Sequence, residues 1–330
     1  MFTFGTSPRQ DVDRNSGVVD LVHPTMRAMS YSRYGGPEVL ESIDLPTPKV
    51  PPGFVLIKVR AIAVNPVDWK IMAGYLDPMM DVHFPAVPGW DVAGVVEAVG
   101  PDVRELAVGD EVLAYGRRDE VQHGAAAEYT SVPVRTVARK PAGLSWEQAA
   151  ALPLAGLTAL QVIERLGIGE GDTVLVHGAS GGVGQMAVQL ATRRGARVIG
   201  TASERNHEFL RGLGAEPVTY GDGLVDRVKE LAPDGVDAVA DLVGGVSAES
   251  LAVLKNTERH VSIADNTVED QGGQWLWITP DRDQLAELAQ LVAAGELQID
   301  IASVRPLEEL AAAYTESAEG HTRGKLVLSI

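Results

Sequence analysis

Residues 174–203, VLVHGASGGVGQMAVQLATRRGARVIGTAS, constrain this chain more than any other segment. Thr173–His177 reads as a short buried strand and Gly178–Gly184 as a glycine-rich turn. Gln185–Arg194 follows as a helix closed by Gly195, and Arg197–Thr201 as a second strand. Strand, turn, helix and strand at this spacing predict a βαβ unit with both strands parallel in one sheet. Ala179-Ser180-Gly181-Gly182-Val183-Gly184 has the spacing of the dinucleotide fingerprint, with Ala179 in the first glycine place. In that pattern Gly181 lets the backbone approach a pyrophosphate and Gly184 permits close helix–strand packing. The first N–H groups of the helix lack intrahelical partners and face the anion. A tight turn alone would also need glycines, but the flanking elements favour the cofactor reading.

The end of the second strand bears on which dinucleotide. An NAD site usually carries an acid there to hold the ribose 2′-hydroxyl. Here Ala202 takes that place, with Ser203 beside it and Arg205 just beyond. Small, polar and cationic groups suit a 2′-phosphate, so the expected cofactor is NADPH. A solvated Arg205 at a helix start is the competing reading.

The alternation continues with helix Asn206–Leu213, strand Pro217–Thr219, helix Leu224–Leu231 and strand Ala238–Leu242. It predicts an α/β unit with a doubly wound parallel sheet. Before it, Ser145 is a helix N-cap. The earlier half reads differently. Val55–Ala63 alternates near period two, and Val92–Val99, Val108–Ala114 and Glu128–Val137 are further strands. That half is expected to be a twisted, mostly antiparallel β domain. The last segment, Arg305–Ile330, reads as helix then strand (Lys325–Ile330), with the strand returning to the first domain. A length of 330 residues suits two such domains.

Charge and composition exclude several functions. Lys and Arg number 28 against 45 Asp and Glu, a net charge of −17, which repels a phosphate backbone, so nucleic acid is not an expected partner. There is no cysteine, which removes disulfides, cysteine-rich zinc sites and thiol nucleophiles together. No apolar run reaches membrane-spanning length, so no membrane association is expected. The opening residues lack a basic start followed by an apolar stretch. A cytoplasmic protein is expected, with residues 1–25 a poorly ordered extension.

Further motifs carry a family resemblance. They are Tyr34-Gly35-Gly36-Pro37-Glu38-Val39-Leu40, Ala63-Val64-Asn65-Pro66-Val67-Asp68, Pro88-Gly89-Trp90-Asp91-Val92-Ala93-Gly94 and Val108-Gly109-Asp110-Glu111-Val112. Pro153-Leu154-Ala155-Gly156-Leu157-Thr158-Ala159, His177 through Gly184, and Thr322-Arg323-Gly324-Lys325 follow. In this order, from Met26 to Ile330, the chain resembles a zinc-independent medium-chain dehydrogenase/reductase of the quinone oxidoreductase-like (zeta-crystallin) branch. The resemblance implies a GroES-like β-rich catalytic domain at 26–149 and 288–330, with a Rossmann NADPH-binding domain at 150–287. The active site would be the cleft between them. It places Thr158 near the nicotinamide and Lys325 near the cofactor, and Tyr220, Val243 and Ile263 along the cofactor with Ser203 and Arg205. It also implies a homodimer joined at an edge strand in Gln274–Thr279, where Trp275, Trp277 and Thr279 share one face; tryptophans packed within one chain are the competing view. At the places where the family's zinc enzymes hold their catalytic metal, this chain has Asn65, Trp90 and Leu154. An amide, an indole and an isobutyl group are not a zinc set, so no metal is expected.

Without a Lewis acid the substrate must already be electrophilic. A quinone or an α,β-unsaturated carbonyl qualifies. Asn65 is the candidate donor to the developing oxyanion. Tyr75 is a candidate donor or proton source, or else a loop anchor, and Asp68 and Asp91 read as structural hydrogen-bonding groups. The alternatives are an enoyl-thioester reductase and a non-catalytic NADPH-binding or sensing protein.

Overall fold

The computed structural model describes residues 24–330. The extension expected at 1–25 therefore lies, up to residue 23, outside the described residues. Two large sheets dominate. The first has six strands in the order Ala215–Val218, Arg197–Thr201, Thr173–His177, Ala238–Asp241, His260–Ser262 and Gln274–Trp275. Every neighbouring pair in it is parallel. Val174–His177 and Ala238–Asp241 are wholly buried, as central strands covered on both faces must be. The chain winds outward from Thr173–His177 on one side, then returns to begin again on the other. This reversal puts a crevice at the carboxyl ends of Thr173–His177 and Ala238–Asp241, the place where such sheets take ligands.

The second sheet has the order Ile301–Pro306, Lys325–Ser329, Phe54–Ala63, Asp91–Val99, Glu111–Tyr115 and Val137–Arg139, with Tyr129–Pro133 also paired to Phe54–Ala63. All its pairs are antiparallel except Ile301–Pro306 with Lys325–Ser329. The returning strand pairs Val327 with Ala63 and Ser329 with Ala61. The two sheets share one buried core. It contains Ala61 and Leu113 from the second sheet, Trp90 just before strand Asp91–Val99, Leu157 and Ile163 from helix Pro153–Arg165, and Val176 from the first. Each leucine, isoleucine or valine among them contributes about 1.5–3 kcal/mol on burial.

Several sequence readings need correction. Glu128–Val137 is not one strand. Pro133 ends the first piece, a turn at Val134–Thr136 follows, and Val137–Arg139 pairs with a different strand. Pro133 has no N–H to continue a ladder. The segment from Arg305 does not open as a helix: Ile301–Pro306 is a strand, and the helix runs Leu310–Glu319. The helix after the glycine turn starts at Gly182, three residues earlier than the pattern implied. Ser145 caps helix Trp146–Ala151 as read, and Gln148 completes a capping box.

Candidate active site

Three segments meet at the glycine turn. Gly178 has φ +69°, a conformation open to glycine, and its N–H donates to Thr201 Oγ1 at 3.0 Å. A Cβ on Gly184 would lie 2.1 Å from the Gly178 carbonyl oxygen, so the helix can approach the strand only with glycine there. No side chain caps the helix start at Gly181. Its first N–H groups are thus left for a ligand. Asn206 Nδ2 donates to Ser180 Oγ at 3.2 Å and to Ser203 Oγ at 3.3 Å, tying the turn to the second strand's end. The opposite wall is Asp241–Gly245. The Asp241 carboxylate accepts from the N–H groups of Val243 (3.0 Å) and Gly244 (2.8 Å) and from Ser262 Oγ (2.8 Å). That loop reaches the turn, since a Cβ on Gly178 would come within 2.6 Å of Val243 Cγ1. Uncapped helix start, glycine cradle and facing loop fit a dinucleotide.

Ala179 through Gly184, Ser203 and Val243 are therefore brought together around this cradle. Ile263 is half-buried next to it, its N–H bonded to the Asp241 carbonyl. Arg205 is exposed, and its Nη2 donates to the His321 carbonyl at 2.8 Å. Tyr220 lies two residues beyond strand Ala215–Val218 and is exposed.

The tail carries Lys325 beneath the turn. Gly324 N–H donates to the Ser180 carbonyl at 3.1 Å, and Gly181 and Gly324 form a parallel bridge. Lys325 Nζ donates to the Val64 carbonyl at 2.9 Å and to Asn65 Oδ1, and lies 3.7 Å from Asp91 Oδ2. Asn65 Nδ2 donates to Asp91 Oδ2 at 2.9 Å, and the Asn65 N–H to Asp68 Oδ2 at 2.8 Å. Asp91 Oδ1 accepts the Leu154 N–H at 2.8 Å, from the first turn of helix Pro153–Arg165. That helix end favours a negative charge on Asp91. All four side chains, Asn65, Asp68, Asp91 and Lys325, are buried. Burial pushes the Asp91 carboxyl up and the Lys325 ammonium down, and their mutual attraction opposes both. Burial raises Asp68 to about 7, against its bond from the Asn65 N–H. The pattern reading of Asp68 and Asp91 as structural groups missed this cluster. The only signal available was that each acid lies in a motif carrying the family resemblance.

Thr158 sits one helical turn beyond Leu154, buried, with Oγ1 unpartnered. Tyr75 is not brought to Asn65. The two lie at opposite ends of helix Pro66–Met72, and the Tyr75 side chain is 71% exposed. Zinc does not fit this site. The Asn65 amide is held by Lys325 and Asp91, Trp90 packs edge-on against Tyr115 with ring centres 5.9 Å apart, and Leu154 has no donor atom. Among the described residues no group of three His, Asp or Glu side chains could hold a metal.

A Rossmann-type sheet joined to a β-rich domain through a returning tail, with a dinucleotide cradle at the junction, defines a class of two-domain oxidoreductase. Residues 51–142 match the family described as Alcohol dehydrogenase GroES-like domain, and residues 213–328 the family described as Zinc-binding dehydrogenase. The chain is 32% identical over 324 residues to the chloroplast envelope quinone oxidoreductase homolog of Arabidopsis thaliana, covering 92% of this chain and 98% of that one. It is 35% identical over 312 residues to the chloroplastic NADPH-dependent alkenal/one oxidoreductase of the same plant, covering 92% and 79%. The solved quinone oxidoreductase from Coxiella burnetii superposes with a TM-score of 0.82 at 35% identity, covering 93% and 99%. The chain belongs to the medium-chain dehydrogenase/reductase superfamily, among its quinone oxidoreductase-like members.

Proposed function

We propose that this protein is an NADPH-dependent reductase of quinones or α,β-unsaturated carbonyl compounds that works without zinc. The observation that carries this is the buried cluster beside the glycine turn: it holds an amide donor and an ammonium, and no metal-ligand set. NADPH held on Ala179–Gly184 would supply the hydride, and water would supply the proton that completes the reduction. The chain's own residues do the rest. The Asn65 amide offers a hydrogen bond to the acceptor oxygen as negative charge develops there, and a donor aimed in advance costs no reorganisation. Thr158 Oγ1, a buried hydroxyl without a partner, is available to the bound ring. The buried surroundings exclude water and strengthen both contacts. Relatives named for quinone and alkenal/one reduction support the same acceptor class.

The proposal includes a homodimer formed along Gln274–Trp275, the edge strand of the six-stranded sheet. An unpaired edge is a natural place for a second copy. A cytoplasmic location belongs to the same proposal, and the cysteine-free composition is compatible with it. The deciding experiment is steady-state NADPH oxidation with a panel of quinones, enones and enoyl thioesters, with metal analysis of the same sample. Turnover of quinones or enones by zinc-free protein is the expected result. Turnover confined to thioesters would move the protein to the enoyl-thioester class, and NADPH binding with no turnover would make it a sensor.

A further inference from the structure

The partners of the Asn65 amide decide its orientation. An asparagine amide can be turned over without changing its shape, so its partners must say which end is which. Lys325 Nζ only donates, and it faces Asn65 Oδ1. An ionised Asp91 only accepts, and its Oδ2 faces Asn65 Nδ2 at 2.9 Å. Turned over, the amide would set N–H against ammonium and oxygen against carboxylate. A single orientation satisfies both. In that orientation one Nδ2 hydrogen is taken by Asp91. The other has only the Ala63 carbonyl at 3.5 Å, a distance at which little hydrogen bonding remains.

Lys325 is not placed to touch an acceptor. Its ammonium is turned to Val64 O, Asn65 Oδ1 and Asp91 Oδ2, all within the protein. Its stem matters as well. A Cβ on Gly182 would lie 2.6 Å from Lys325 Cδ, so the lysine crosses directly over the third glycine of the turn. One side chain therefore contacts both the cofactor turn and the donor amide. Asp91 is fixed from the other side by the Leu154 N–H.

We propose that Lys325 and Asp91 are positioning residues that lock the Asn65 amide with one N–H presented to the acceptor. Gly182 is glycine in part because the lysine stem passes over it. The catalytic part of this proposal rests on the reductase reading above; the lock itself does not.

The test compares Lys325→Met, Asp91→Asn, Asn65→Ala and the double variant Asn65→Ala/Lys325→Met in the full chain. Lys325→Met should lower kcat for an enone by about a hundredfold, the scale of losing an oxyanion donor, with NADPH Kd changed less than about twofold. In the Asn65→Ala background the same change should alter kcat by less than about twofold, because the lysine acts through the amide. Equal losses in both backgrounds, or no loss in either, would overturn the proposal. If Lys325→Met fails to fold, Lys325→Met/Asp91→Asn removes both ends of the lock without leaving a lone buried charge. It should show the same kcat loss, and unchanged turnover would again overturn the idea. A readout without turnover is the Asn65 side-chain amide pair in 1H–15N spectra, assigned by its disappearance in Asn65→Ala. Slow hydrogen exchange in the wild type that becomes fast in Lys325→Met supports the lock, and fast exchange in both rejects it. A protein with the slow amide but no turnover on any acceptor would reject the reductase reading and keep the lock.

Discussion

Each half of the molecule buries a polar cluster next to the glycine turn, and the two are built on opposite principles. On the nucleotide side His177, Asp241, Ser250 and Ser262 gather at the strand ends and the nearby helix. His177 Nε2 lies 3.1 Å from Ser250 Oγ, and Asp241 is satisfied by two backbone N–H groups and the Ser262 hydroxyl. Burial pushes His177 down to about 4 and lowers neighbouring His260, whose two ring nitrogens are unpartnered. Those imidazoles are neutral at pH 7. On the catalytic side two carboxyls and an ammonium are buried together, joined across 260 positions of sequence by Lys325 and Asn65. The first cluster shapes a loop with fixed local dipoles. The second holds charge, aims a donor and ties the tail to the front of the chain. The first should therefore govern cofactor binding and acid stability, and the second turnover.

Changing the donor is the strongest way to break that division. Asn65→Ala should lower kcat for a conjugated acceptor by about 100- to 1000-fold and leave NADPH Kd unchanged. Stopped-flow turnover with a separate binding titration checks it. A parallel loss of NADPH affinity would show that the two regions do not divide the work.

Acid should strike the nucleotide side first. His177 titrates near 6.5 unfolded and about 4 folded. Its contribution is complete above 6.5 and is lost as pH falls through 4. Lowering the pH from 7 to 5 should therefore cost about 2 kcal/mol of folding stability, read by urea unfolding. His177→Gln should flatten that dependence. An unchanged slope in the variant would assign the acid sensitivity elsewhere.

A smaller effect separates cofactor choice from the turn itself. Arg205→Ala should raise the Michaelis constant for NADPH about tenfold at low salt and leave that for NADH nearly unchanged. Equal changes with both cofactors would mean that Arg205 serves only its bond to the His321 carbonyl.

The smallest effect lies on the catalytic side and runs the other way with pH. Asp68 rises from 3.8 to about 7 through burial. Its contribution is complete below 3.8 and is lost as pH rises through 7, about 1 kcal/mol between pH 6 and 8. Asp68→Asn should remove the alkaline slope while the acid slope of His177 persists. Loss of both slopes in that variant would show the two clusters to be one coupled system.

What could be read in the sequence was local. The strands Thr173–His177 and Arg197–Thr201 and helix Leu224–Leu231 were placed at their observed bounds. Each is short-range in origin: a buried apolar run, a glycine turn, a stripe of period 3.6. The glycine cradle was legible for the same reason, since all its constraints lie within about thirty residues. Helix Pro153–Arg165 was not read from its pattern. It is buried on most sides, and only Gln161, Glu164 and Arg165 near its end mark a polar face, too short a stripe to place the helix start. Asn206 gave no signal apart from its hydrogen bonds to Ser180 and Ser203, which exist only once the turn and the strand end have met.

By itself the sequence determined that a dinucleotide cradle forms and that no cysteine is available to hold zinc. Tertiary structure alone decided what lies beneath that cradle. Asn65, Asp91 and Lys325 become neighbours because Lys325–Ser329 pairs with Phe54–Ala63, and Phe54–Ala63 with Asp91–Val99. A propensity or a motif reports what a residue does within a few positions of itself. The partner of a buried charge is set by strand register across the whole chain, and a slip of one residue would turn Asp91 or Lys325 to the other face of the sheet.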